Sequence, residues 1–337
     1  MLRSDQSAPI RSDETHMGMA KERVQQIDYL KGVFILLMVL FHLALVEETY
    51  PMLRNAVYTF HMSAFLIISG YLAHVDKEPE AFGKGLLRIA VPYLLFEALY
   101  ILMQYFLGGS LGAHNAIGSL SVADFVTRVL TLPTGPYWYL HTLVICTVIY
   151  WLVYRVLRLQ GISGLALSGL ALYGLSLVIE GLDWHNVIYF LIGIAIFRSG
   201  KSLLSVITPS FLAALPLIIL FWFPENFNSG SLAGIAITVL VISLLLAIYP
   251  YCVNPLRSLL CYVGRNSLAI VVFSPVFTIL TKQISPLFSF DHTAICFALV
   301  SLTFVVTCCL VSAWLADKLR LSRFIFMRQD FYSSLKS

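Results

Sequence analysis

Apolar segments long enough to cross a lipid bilayer recur from Ile27 to Leu315, and only short polar stretches separate them. A membrane-spanning helix needs about 20 mostly apolar residues. Hydrophobic residues make up 59% of the chain, charged residues make up 12%, and the mean hydropathy is +0.84. An ordinary water-soluble domain does not have this composition. The chain is therefore expected to fold within a membrane.

The apolar segments are continuous rather than alternating, which favours helices over the short strands of a transmembrane barrel. The predicted fold class is all-α, a polytopic integral membrane protein with ten transmembrane helices, at 27–46, 57–75, 86–107, 137–157, 162–180, 185–199, 206–223, 231–249, 256–281 and 294–316. Residues 25–318 are predicted to form one transmembrane domain. Residues 1–24 and 319–337 are predicted to be cytoplasmic tails.

The lysines and arginines follow the positive-inside rule when the N-terminus is placed in the cytoplasm. Eighteen of the 22 then lie on the cytoplasmic side, Arg54, Arg128 and Lys282 lie outside, and Lys31 lies within the first span. Removing one span would exchange the sides of every later loop and scramble this asymmetry. Both termini are therefore predicted to be cytoplasmic. The longest outer loop, 108–136, is a candidate for contact with an acceptor, and its 121–132 portion is predicted to form a short interfacial helix.

Two polar side chains stand out in the first span, DYLKGVFILLMVLFH at 28–42. Lys31 and His42 are eleven residues apart, which corresponds to about 20° of helical rotation and roughly 16 Å of rise, so both project from one face at different depths. Such groups are costly in lipid unless they face a cavity or the protein interior. His61 in the second span is predicted to share the depth of His42. Histidine transfers protons near neutral pH, but both histidines are alternatively packed, hydrogen-bonded residues.

Five segments in order carry a family resemblance: DYLKG…LFH (28–42), FHMSAFLIISGY (60–71), RIAVPYLLF (88–96), GPYWYL (135–140) and VGRNSLAI (263–270). They resemble the membrane-bound acyltransferase-3 family, and in particular its fucose 4-O-acetylase-like branch, which O-acetylates bacterial surface sugars. The resemblance covers nearly the whole chain. It implies a multi-pass protein of the bacterial cytoplasmic (inner) membrane.

The resemblance also implies an activity. An acyl group, usually acetyl, would move from acetyl-CoA or another acyl-CoA to a hydroxyl of a surface polysaccharide or its lipid-linked precursor, with no bound cofactor. His42 occupies the position of the family's essential histidine, and Lys31 replaces the arginine that stands before it with ten residues in between. Val271 and Ser274 stand where the family often has tyrosine and histidine. Coenzyme A phosphates would lie near Lys31 and Arg88, and His42 would act as general base or carry the acyl group.

The remaining candidates each have a structural alternative. Ser69 would orient the acyl carbonyl or a neighbour, or would pack at a helix crossing. Trp138 and Tyr139 would stack on a sugar, or would belong to an aromatic belt. His141 would line the same cavity or be a packed histidine, and Glu97 is a functional carboxylate or a neutral, hydrogen-bonded one.

Other functional classes are less well supported by the sequence. The eight histidines lack H-x-x-x-H or H-E-x-x-H spacing, so no metal site is predicted. Nucleic acid is not an expected partner of so apolar a chain. The alternative to an enzyme is a transporter or flippase for a lipid-linked sugar or acyl group, although the paired, broken helices typical of transporters are not evident. A regulator that retains the fold without catalysis is a third reading.

Overall fold

The computed structural model describes residues 11–73, 77–107 and 117–332, with side chains from residue 25 onward. This part of the chain is helical and contains no strand. Its α-helices are α1 Arg11–Leu40, α2 Ala44–Thr49, α3 Pro51–Leu72, α4 Pro79–Leu107, α5 Val122–Thr131, α6 Trp138–Trp151, α7 Gly161–Ser176, α8 Trp184–Arg198, α9 Leu203–Val206, α10 Ala214–Trp222, α11 Leu232–Ile248, α12 Asn254–Arg265, α13 Ser267–Ile284, α14 Ile295–Lys318 and α15 Ser322–Ile325.

The all-helical, membrane-embedded prediction is confirmed. Each of the ten predicted spans contains a helix. In the described residues, five helical segments are long and apolar enough to cross a bilayer, at Pro79–Leu107, Gly135–Val156, Leu232–Tyr251, Ser267–Phe288 and Ile295–Lys318. Many large apolar side chains on the outer faces of the helices are exposed, as expected for surfaces that contact lipid. The chain is therefore a multi-pass membrane protein.

Three predicted spans are interrupted. The span expected at 206–223 starts at the end of α9, is not helical at 207–210 and continues into α10. The first span was expected to continue to residue 46, but α1 ends at Leu40 and α2 follows a break at residues 41–43. The span expected at 256–281 is divided between α12 and α13. At that division, the side-chain amide of Asn266 donates a hydrogen bond to the carbonyl oxygen of Tyr262 at 3.0 Å. Such side-chain bonds to a carbonyl four residues back often bend helices.

Glycines bring α1 and α12 into direct backbone contact. A methyl group on Gly32 would overlap with the carbonyl oxygen of Leu260, and one on Gly264 would overlap with the carbonyl oxygen of Asp28. Small residues permit this approach between membrane helices. The DYLKG and VGRNSLAI segments are therefore neighbours in space, although more than 200 residues separate them.

The helix ends define two ends of the bundle. Helix α1 ends, and helices α3, α6, α8 and α11 begin, at what we call the His42 end. Helix α4 begins beside the end of α3, at what we call the tail end. Helix α5 (Val122–Thr131) forms within the stretch predicted to be a short helix, and its N-terminus is closed by reciprocal hydrogen bonds between Ser121 and Asp124. Residues 108–116 of the predicted outer loop lie outside the described residues.

Candidate active site

The break after α1 fixes the position of the His42 ring. The backbone N–H of His42 bonds to the carbonyl of Val39 rather than to that of Met38. The Met38 carbonyl oxygen instead lies 2.6 Å from Nδ1 of the His42 ring. A carbonyl can only accept a hydrogen bond, so Nδ1 carries the proton and, in the neutral ring, Nε2 keeps its lone pair. No described residue hydrogen-bonds to this Nε2.

His61 repeats the arrangement one helix away. Its Nδ1 donates to the carbonyl oxygen of Val57 at 2.8 Å, and its buried Nε2 has no hydrogen-bond partner in the described part of the chain. The Tyr58 ring lies between the two histidines, with centroids 5.7 Å from His42 and 5.3 Å from His61. The Tyr58 hydroxyl donates to the carbonyl oxygen of Phe41 at 2.9 Å, which ties α3 to the break. Both imidazoles thus have the same protonated nitrogen and the same available one.

The two histidines share a cavity of about 210 Å³ at the His42 end, which we call the His42 cavity. Six helices or the loops next to them contribute to its wall. The lining residues are Met38, His42, Tyr58, His61, Met62, Ser63, Pro136, Trp138, Asp183, Asn186, Ser229 and Val271. His42, His61 and Trp138 were predicted site residues, and the structure brings these three together.

A second cavity of about 170 Å³, the middle cavity, lies against the first and shares Val271 with it. Lys31 is in its wall and pairs with the Asp28 carboxylate at 3.2 Å. Ser69 and Tyr139 also line it, and their hydroxyl oxygens are 2.7 Å apart. Lys31, Ser69 and Tyr139 are therefore a second group of predicted residues that the fold assembles.

A third cavity of about 240 Å³, the inner cavity, extends to the tail end. It shares Ser69 and Leu143 with the middle cavity, and Lys77 lies in its wall. The inner, middle and His42 cavities form a row through the bundle. Basic side chains line the first two cavities, and the imidazoles of His42 and His61 line the third.

Arg88 lies outside the wall of all three cavities. Burial lowers the pKa of Arg328, and the nearby Arg88 guanidinium lowers it further. Arg88 therefore lies close to the C-terminal segment that contains Arg328. The segment is itself held by hydrogen bonds from the backbone N–H groups of Phe331 and Tyr332 to the Asp317 carboxylate.

Glu97 and His141 also lie away from the cavities, where they hold the segment that precedes α6. Glu97 accepts a hydrogen bond from the backbone N–H of Thr134 at 2.6 Å. His141 Nε2 donates to the carbonyl oxygen of Leu130 at 2.9 Å, and the Tyr93 hydroxyl donates to the neighbouring Val129 carbonyl. These contacts fix the approach to Trp138, so both residues support the wall of the His42 cavity from behind.

Five polar residues of the His42 cavity were not predicted from the sequence, namely Tyr58, Ser63, Asp183, Asn186 and Ser229. Asp183 and Asn186 lie at the start of α8, and Ser229 lies in the loop before α11. A polar residue at a helix start reads as a capping residue, and Asp183 does cap α8. These residues can be recognised as part of the site only in the structure, where they line the same cavity as His42.

The chemistry available at the site is proton transfer at an enclosed, unprotonated imidazole nitrogen next to a chamber that reaches basic side chains. A protein-family model described as an acyltransferase domain, that of the acyltransferase-3 family, matches residues 24–314. Comparisons with curated proteins and with solved structures find no match. The family match covers most of the chain and includes all three cavities. The chain belongs to the acyltransferase-3 family of membrane acyltransferases.

Proposed function

We propose that this acyltransferase moves an acyl group, with acetyl-CoA as the usual donor, to a hydroxyl of a bacterial surface polysaccharide or its lipid-linked precursor. The observation that carries the proposal is the hydrogen bond from His42 Nδ1 to Met38, because it leaves the Nε2 lone pair available to the cavity. A general base must lie within reach of the hydroxyl proton that it removes. The His42 cavity gives an acceptor hydroxyl room to approach.

The row of cavities supports donor binding from the tail end. Coenzyme A would place its phosphates near Lys77 and Lys31, and its thioester would extend toward His42. The Lys31 ammonium has three donors, so it can bind a phosphate oxygen while it remains paired with Asp28. A helical rise over the eleven positions from Lys31 to His42 corresponds to roughly 16 Å, a distance that the extended pantetheine arm spans. Arg88, half-buried near Arg328 and outside the cavity walls, would contribute only by attracting the anionic donor to this end.

In the proposed reaction, His42 Nε2 takes the proton from the acceptor hydroxyl as its oxygen attacks the thioester carbonyl. The carbon–sulfur bond then breaks, and the proton passes from the imidazolium to the departing coenzyme A thiolate. His61 Nε2 accepts a hydrogen bond from the acceptor and helps to orient it. The Ser69–Tyr139 hydroxyl pair lies along the donor's route and orients the acyl carbonyl. A variant in which His42 first carries the acyl group uses the same nitrogen.

The proposal includes the topology. Ten spans with both termini in the cytoplasm, in the bacterial inner membrane, put the tail end at the cytoplasmic acetyl-CoA pool and the His42 end at the outer face. The distribution of lysines and arginines supports this orientation. The acceptor would then be acylated at the outer face, where surface polysaccharides are displayed.

The decisive experiment follows radiolabelled acetyl groups from acetyl-CoA into surface glycan in native membranes. It compares wild type, His42→Ala and the control His292→Ala at matched expression, because His292 lies on an exposed loop before α14. We expect His42→Ala to lose at least 100-fold in rate, within the range for a missing general base, and His292→Ala to retain wild-type activity. Full activity of folded His42→Ala would refute the mechanism. Absence of both label transfer and coenzyme A binding in the wild type would favour the transporter.

A further inference from the structure

The wall of the His42 cavity also carries polar groups that the proposed reaction does not use. Oδ1 of Asp183 accepts two hydrogen bonds from His185, one from its backbone N–H and one from its ring, both at 2.9 Å. Oδ2 accepts none from the described residues. The Asn186 carboxamide, three residues further along, also makes no hydrogen bond to any described residue. A carboxylate oxygen and an amide therefore remain available in the cavity.

Hydrogen bonds and packing hold this part of the wall in a fixed position. Asp183 is fixed by the backbone bond that caps α8 and by the bond from the His185 ring. The ring of His185 packs so closely on Gly230 that a methyl group at Gly230 would overlap with it. The next loop residue, Ser229, is tied down because its carbonyl accepts a hydrogen bond from the Tyr189 hydroxyl. This wall is pre-organised, which reduces the entropic cost of binding a ligand.

We propose that Asp183 and Asn186, together with the Trp138 face, form the acceptor subsite and select an uncharged or amino sugar over an anionic one. The inference rests on the proposed acyl transfer and names its acceptor class. A carboxylate accepts hydrogen bonds from sugar hydroxyls or an ammonium group, an amide both donates and accepts, and an indole face packs against the C–H face of a sugar ring. A uronic acid or phosphorylated sugar would set its negative charge against Asp183, and such juxtaposed like charges discriminate against the wrong ligand.

The geometry distinguishes this wall from the donor side. Lys31 and Lys77 line the cavities toward the tail end, whereas no lysine or arginine lines the His42 cavity. An anionic donor and an uncharged acceptor would thus enter from opposite ends. They would meet near His42, since the junction residue Val271 borders both the donor's route and the acceptor's cavity.

The test uses the full-length protein in lipid nanodiscs and three probes: methyl glucoside, methyl glucosaminide and methyl glucuronide. Saturation-transfer NMR measures binding of each probe without acetyl-CoA, and radiolabelled acetyl-CoA measures transfer. The variants are Asp183→Asn, Asn186→Leu and the control Asp291→Asn. Asparagine caps helices as well as aspartate does, so Asp183→Asn is expected to fold. Asp291 bonds to the start of α14 in a comparable way, but lies outside the cavity.

We expect the wild type to bind the two non-anionic probes and to discriminate against the glucuronide at least 10-fold. Asp183→Asn and Asn186→Leu should lower kcat/KM for the bound probes by about 10- to 100-fold, as expected for lost hydrogen bonds to a charged or buried group. Asp183→Asn should also reduce the discrimination against glucuronide. Acetyl-CoA affinity should be unchanged, and Asp291→Asn should match the wild type.

Two results would overturn the inference: equal binding of all three probes by wild type and Asp183→Asn, or binding of none by the wild type. Failure of the proposed function gives a different pattern. The wild type would then bind the non-anionic probes through Asp183 and Asn186 but transfer no label to them.

Discussion

His42 donates its Nδ1–H to the carbonyl oxygen of Met38, four residues earlier on α1, at 2.6 Å. The same carbonyl would receive the backbone N–H of His42 in a continuous helix, but that N–H bonds to Val39 instead. The hydrogen bond that orients the His42 ring therefore forms at the same point at which helix α1 ends. At the break, residues 41–43, the His42 ring N–H donates to the Met38 carbonyl in place of the His42 backbone N–H.

This relationship separates the structural from the chemical role of His42. The amide of His42→Asn can donate to Met38 but offers no basic nitrogen, whereas His42→Ala loses both. We expect both variants to lose at least 100-fold in transfer rate. We expect only His42→Ala to lose stability as well, by about 1 kcal/mol for one hydrogen bond. Acetyl-transfer assays and thermal unfolding in nanodiscs measure the two effects, and an active His42→Asn would contradict the assignment.

Lys31 is predicted to act through its charge on the donor. Lys31→Arg should stay within a few-fold of the wild type, and Lys31→Met should raise the KM for acetyl-CoA at least 10-fold with little change in kcat, because a phosphate contact contributes to binding. Since Lys31→Met leaves the carboxylate of Asp28 unpaired, the double variant with Asp28→Asn controls for that loss. Recovery of a normal KM in the double variant would show that the effect belonged to Asp28.

Val271 is predicted to govern passage between the middle cavity and the His42 cavity, because it borders both. Val271→Phe should narrow the junction and lower acetyl transfer at least 10-fold while acetyl-CoA still binds. Val276→Phe is the matched control, since Val276 lies on the same helix with 39% of its surface exposed. Equal transfer by the two variants would exclude Val271 from the route.

The contact between α1 and α12 is predicted to tolerate no side chain. Gly264→Ala should destabilise the protein by about 1–3 kcal/mol, the usual cost of overpacking. Gly83→Ala provides the control, because Gly83 lies in α4 with open space around it. Alanine is favoured over glycine within a helix by about 0.5–1 kcal/mol. Thermal unfolding of the two variants should therefore shift in opposite directions, and a common direction would contradict the packing argument.

Glu97 is predicted to be structural, as an acceptor for the Thr134 backbone N–H. Glu97→Gln keeps an oxygen acceptor and should have nearly wild-type stability and activity. Glu97→Leu leaves the N–H unpaired and should cost about 1–3 kcal/mol, with a lower transfer rate because the segment before Trp138 loosens. Loss of activity in a stable Glu97→Gln would instead assign a chemical role to the carboxylate.

Much of the donor side follows from helical periodicity. Lys31 lies on α1 and His42 follows the end of α1 by two residues, and both line the row of cavities, as their helical spacing predicts. Arg88 occurs within a segment of the family pattern and His141 directly follows one, yet both lie outside the cavities. Their neighbours come from the C-terminal segment and from the segment before α6, which no local pattern predicts.

The sequence by itself determined that the chain folds in a lipid bilayer and that it forms helices, because apolar runs of bilayer length can satisfy their backbone groups only as helices. It also determined that His42 and Lys31 required a protein interior. Only the tertiary structure decided the wall of the His42 cavity, where Asp183 and Asn186 meet residues more than 100 positions earlier. It also decided the proton position on His42, since a hydrogen bond at a helix break depends on how the chain turns there. Such long-range meetings depend on packing between helices, and the packing is set by side-chain shape rather than by any local sequence period.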